Sequence, residues 1–88
     1  MAAYNLLLKP SVEKDLKKIP AGILRLVLKK FDLLSASPFP AHAVKLSGAE
    51  NLYRVRVGDY RIIYEPDHTA RQLTIHYVRH RRDVYRSL

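Results

Sequence analysis

Two alternating runs, Leu52 to Val57 and Tyr60 to Glu65, flank the dipeptide Gly58-Asp59 and constrain this chain more than any other stretch. Alternation of apolar and polar residues marks half-buried strands, and a Gly-Asp pair between two such runs marks a tight hairpin. A two-residue loop sets Val57 opposite Tyr60, Arg56 opposite Arg61, Val55 opposite Ile62 and Tyr53 opposite Tyr64. One side of the hairpin then carries Tyr53, Val55, Val57, Tyr60, Ile62 and Tyr64, an apolar face that needs a cover. The other carries Arg54, Arg56 and Arg61. Like charges directly opposite in a sheet destabilise it by tenths of a kcal/mol up to about 1, so the arginines call for a use. The alternative is pairing with Glu50, Asp59 or Glu65, or a longer loop that changes the register.

The rest of the chain supplies the cover. Tyr4 to Leu8 is a short apolar strand closed by Pro10. Ser11 to Lys18 reads as a brief helix with Val12, Leu16 and Ile19 on one face and Glu13 near its start. Pro20 stops it and opens a second helix, Pro20 to Ser35, whose Ile23, Leu24, Val27, Leu28, Phe31 and Leu34 keep the i, i+3, i+4 spacing. The segment Ala36 to Ala43 holds two prolines and no periodicity, so it is a loop. Val44 to Leu46 is a short strand or an extended lead-in, Gly48 lies in a turn, and Gln72 to Val78 forms the last strand after a Pro66 to Arg71 loop. A short C-terminal helical turn covers Arg82 to Ser87. The expected fold is α+β and spans residues 1–88 as one domain: an N-terminal strand and a two-helix hairpin on one face of a mainly antiparallel sheet of four to five strands, in the order βααβββ.

Charge narrows the class of partner. Sixteen Lys and Arg against eight Asp and Glu give a formal charge of +8, which favours a polyanion, nucleic acid first. All seven lysines lie at or before Lys45, while eight of the nine arginines lie at or after Arg54. Lysine is the usual solvated cover of a helix, whereas the planar guanidinium grips phosphate with two parallel bonds and keeps its charge when partly desolvated. With no cysteine, disulfides, thiolate zinc ligands and a thiol nucleophile are excluded, which fits a reducing cytoplasm. No apolar run approaches the roughly 20 residues of a membrane span, and the N-terminus lacks the features of a signal peptide. His42, His68 and His76 show no metal spacing, so neither metal nor cofactor is expected.

The tail concentrates the same chemistry. Arg79, His80, Arg81, Arg82, Tyr85 and Arg86 fall within eight positions after the last strand, and one reading of them is a phosphate groove. Tyr85, with Val84, serves equally well to dock the terminal turn onto the sheet. His80 is the best-placed group for titration near neutral pH.

The block KLSGAENLYRVRVGDYRIIYE, followed by HRRDVYR, resembles the RelE branch of the RelE/ParE toxin superfamily. Its members carry a Lys-Leu-x-Gly lead, a Tyr-Arg-x-Arg-x-Gly-x-Tyr-Arg hairpin and a terminal basic segment with tyrosine. The SVEKDLKKIP helix also resembles that family's opening, so the likeness runs nearly the whole chain. It implies a toxin of a type II toxin–antitoxin system: an endoribonuclease that enters the ribosomal A site and cleaves mRNA by attack of the neighbouring 2′-hydroxyl on phosphorus. By position in the motif, Arg54, Arg56, Arg61, Arg81 and Tyr85 are the implied catalytic set, with His80 added as a proton-transfer group. Lys45, Arg79, Arg82 and Arg86 are the implied RNA contacts.

Where some relatives have lysines, this chain has Arg54 and Arg56, which cannot give up a proton at working pH. Proton transfer then falls to His80 or Tyr85, or the reaction runs on orientation and electrostatics. The resemblance further implies a cognate antitoxin with an acidic or amphipathic segment, mRNA and ribosomal RNA as partners, operator DNA bound by the toxin–antitoxin complex, and a cytoplasmic location with no membrane. The alternative within the superfamily is a ParE-like toxin that inhibits DNA gyrase without cutting RNA.

Overall fold

A computed structural model describes residues 3–40, 43–46 and 51–83. The chain begins with β1 (Asn5–Leu8), continues through α1 (Pro10–Lys17) and α2 (Ala21–Ala36), and then forms β2 (Val44–Lys45), β3 (Tyr53–Val57), β4 (Tyr60–Asp67) and β5 (Gln72–His80). The five strands make one sheet in the order β1-β5-β4-β3-β2. Every pairing is antiparallel except β1 with β5, which is parallel and brings the first strand beside the last. The α+β architecture expected from the sequence is the observed one, with Val44–Lys45 as a true strand.

Helices cover one face. Val12 of α1 and Val27, Phe31 and Leu34 of α2 meet Val55, Val57, Ile62, Tyr64, Leu73, Ile75 and Val78 in a single core with Ile19 and Tyr4. Leu28, expected in that core, is 45% exposed. With 3.6 residues per turn it projects about 100° away from Val27, at the margin of the stripe. The hairpin register is the expected one: Tyr53↔Tyr64, Val55↔Ile62, Arg56↔Arg61 and Val57↔Tyr60. Gly58 supplies the turn with φ +57°, a left-handed conformation that costs glycine nothing.

Three boundaries differ from expectation for identifiable reasons. Pro10 does not close β1 into a loop but is the first residue of α1, where its missing N–H is no loss. Pro66 does not end β4; it stands buried in the ladder opposite Leu73. Because β3 begins opposite Tyr64, β4 has a neighbour on one side only at that point, and proline is tolerated on such an edge. The β4–β5 turn is accordingly shorter, tightened by Ala70 N–H donating to Asp67 Oδ1 at 3.0 Å and by Arg71 at φ +55°. Residues 81–83 start a helical turn after β5; most of the expected turn over Arg82 to Ser87 lies outside the described residues.

Candidate functional site

Directly paired residues in a sheet share a face, so the register assigns each arginine. Arg56 pairs with Arg61, and Arg61 pairs in turn with Arg79. Three arginines from three adjacent strands therefore occupy one row across the sheet, on the face the helices leave. Val44, Arg54, Ile63 and Tyr77 form the next row, one two-residue step away, or about 7 Å.

The centre of the row is the least usual position. Arg61 is only 8% exposed, and it makes a long hydrogen bond, from NH1 to the Tyr60 carbonyl at 3.4 Å. Arg56 donates from Nε to the Gly58 carbonyl at 2.9 Å. Among the described residues no carboxylate oxygen lies within 4 Å of Arg54, Arg56 or Arg61. A desolvated cation without a carboxylate favours an external anion, and a row of them fits the non-bridging oxygens of a phosphodiester.

Arg79 is held from two sides. Its guanidinium lies 4.6 Å from the centroid of the Tyr77 ring, and its Nε is 3.9 Å from Asp15 Oδ1 of α1. Expected as an RNA contact, Arg79 turns out to be the row's third member. A bulge explains this. The β4–β5 pairing runs Ile63↔Tyr77 and then Tyr64↔Ile75, so His76 is an extra residue. Were His76 paired in regular register instead, Arg61 would face Val78, and Arg79 would turn to the helix side. His76, set aside by the sequence reading, bonds through Nε2 to Glu65 Oε1 at 2.9 Å, beside the bulge.

The same register separates other expected site residues from the row. His80 pairs with Tyr60 on the helix side, its ring edge-on at 5.5 Å, and does not join the arginines. The bulge again is the reason, since it exchanges the faces of Arg79 and His80. Lys45 pairs with Tyr53, also on the helix side, while Val44 takes the place beside Arg54. Arg81 and Arg82 are exposed beyond the strand end, and Arg81 N–H donates to the Asp59 carbonyl at 2.7 Å, tying the segment to the hairpin tip. Tyr85 and Arg86 lie outside the described residues. Among the described residues no group of three or more His, Asp or Glu is placed to hold a metal.

Comparison with known proteins bears on the family and the fold. The family model for the ParE toxin of the type II toxin–antitoxin system parDE matches residues 6–85. A protein assigned by name as toxin RelE1 in Methanocaldococcus jannaschii is 28% identical over 87 residues, covering 96% of this chain and 97% of that one. Among solved structures, the archaeal RelE–RelB complex from Pyrococcus horikoshii OT3 superposes with a TM-score of 0.80 at 31% identity, covering 92% of this chain and 97% of that one. The RelBE2 toxin–antitoxin complex of Mycobacterium tuberculosis gives 0.80 at 29% identity, with 92% and 94% covered.

Proposed function

This chain belongs to the RelE/ParE superfamily as a RelE-like toxin of a type II toxin–antitoxin system, and on that premise we propose that it is an endoribonuclease acting on mRNA in the ribosomal A site. The observation that carries the proposal is the row Arg56–Arg61–Arg79, in which Arg56 and Arg61 have no carboxylate within 4 Å among the described residues.

In the reaction the 2′-oxygen attacks the adjacent phosphorus, the bond to the 5′-oxygen breaks, and a 2′,3′-cyclic phosphate remains on the upstream fragment. The 2′-hydroxyl gives up one proton and the leaving oxygen takes one. Charge builds on the equatorial oxygens at the transition state, where fixed donors act most strongly. Arg61 is the central donor, desolvated and aimed by the strand, with Arg56 and Arg79 beside it. None of the three can serve as a base. Of the two residues expected to move protons, His80 stands against Tyr60 on the other face, so Tyr85 carries that role in our reading, with Arg54, Arg81, Arg82 and Arg86 extending the RNA contact. The partners are mRNA and ribosomal RNA in the cytoplasm, and a cognate antitoxin like the RelB chains bound in the neighbouring structures. No helix among the described residues is long and apolar enough to cross a membrane.

Ribosomes programmed with a defined message test this. Wild-type protein is expected to produce a cut within the A-site codon, mapped to the nucleotide, and Arg61→Ala is expected to slow it by about 10²–10³-fold. Because the matching family model is named for ParE, DNA gyrase inhibition is the second reading. Intact message together with an arrested supercoiling reaction would establish that reading instead.

A further inference from the structure

α1 does more than cover the sheet. β1 pairs with β5 only as far as Ile75, and beyond that point α1 takes over the edge of β5. Lys9 N–H donates to the Ile75 carbonyl at 3.1 Å, Ser11 Oγ approaches the His76 carbonyl at 3.4 Å, and Val78 N–H donates to Asp15 Oδ2 at 3.1 Å. These contacts flank the bulge that decides which residue faces Arg61. The other oxygen of the same carboxylate, Oδ1, is 3.9 Å from Arg79 Nε. Asp15 is well buried, with its side chain 11% exposed, and burial strengthens its pull on a neighbouring cation.

We propose that Asp15 is the positioning residue of the arginine row. It fixes β5 in its bulged register through Val78 and draws Arg79 toward the sheet edge against the repulsion of Arg61. This rests on the functional reading above, since the row is the thing positioned. Arg79 is then pre-organised before RNA arrives, and such positioning changes the chemical step more than it changes binding. A carboxylate beside a phosphate site would otherwise weaken RNA binding. Removing its charge therefore has opposite effects on the two quantities.

Asp15→Asn keeps an oxygen to accept from Val78 N–H and removes the charge near Arg79. It is expected to leave the melting temperature close to wild type, to lower the A-site cleavage rate at saturating ribosomes about tenfold, and to leave KM unchanged or lower. Asp15→Ala loses both contacts and is expected to be slower still and less stable. In an Arg79→Ala background, Asp15→Asn is expected to have no further effect on rate, because a residue acting through Arg79 has nothing left to act on. A full-sized effect in that background, or a wild-type rate for Asp15→Asn, would overturn the proposal.

A second measurement does not depend on catalysis. The ¹⁵Nε resonance of Arg79 is expected to shift in Asp15→Asn while those of Arg56 and Arg61 stay in place. An unmoved Arg79 resonance would defeat the positioning role whatever the cleavage assay gives. A moved resonance in a protein that leaves the message uncut would instead defeat the nuclease reading and keep the hold on Arg79.

Discussion

The two faces of the sheet are built to different ends. The helix side is a close-packed core in which Val12, Val27, Leu34, Ile62, Tyr64, Leu73 and Ile75 have no measurable exposure, and each contact there lowers the free energy of folding. The other side places Arg56, Arg61 and Arg79 abreast, which raises it. The difference teaches where stability and function part: substitutions on the first face should act through folding, and substitutions on the second through chemistry.

The largest expected effect tests the first half of that division. Phe31→Ala empties a large buried site and should lower stability by about 3–5 kcal/mol, read by urea unfolding. The folded fraction should cleave at the wild-type rate; a slower folded fraction would blur the division. Arg61→Ala tests the other half. Cleavage should fall about 10²–10³-fold, the usual effect of removing one fixed donor to transition-state charge. Its melting temperature should hold or rise as two like-charge neighbours are relieved, and a clear drop would show that the row supports the fold.

Next in size is a pH effect confined to the core. Burial, followed by the neighbouring Tyr53, pushes the Tyr64 hydroxyl up from 10.0 to about 12, and that hydroxyl donates to the Pro38 carbonyl at 2.6 Å. The folded protein therefore holds this proton over a range where the unfolded chain has lost it. Stability is intact below pH 10 and should decline by about 2–3 kcal/mol between pH 10 and 12. Tyr64→Phe should flatten this decline in alkaline unfolding curves. The smallest effect concerns His80. Loss of its edge contact with Tyr60 in His80→Ala should cost about 0.5–1.5 kcal/mol of stability, with single-turnover cleavage changed less than about threefold. A collapse in rate would return His80 to the site and contradict its placement on the helix side.

Much of the fold was legible because it follows from local rules. Gly58-Asp59 between alternating runs determined the β3–β4 register without any knowledge of the rest, and it placed Arg56 opposite Arg61. The spacing of Val27, Phe31 and Leu34 identified the buried stripe of α2. The third arginine of the row was not legible. Its place depends on the single unpaired residue His76, and neither glycine nor proline marks that bulge in the sequence. Pro66 also misled, since it reads as a strand terminus unless the edge beside it is known to be empty. The role of Asp15 was hidden for a further reason. It depends on where β1 stops pairing with β5, a long-range fact that no window of neighbouring residues contains.

The parallel pairing of Asn5–Leu8 with Gln72–Ile75 has a consequence for biosynthesis. Among the described residues β1 pairs with β5 alone, so this pairing cannot form until β5 has left the exit tunnel. A nascent chain whose β5 is still inside the tunnel lacks the strand on which Arg79 is mounted. Assembly of the arginine row thus waits until β5 has emerged and paired with β4.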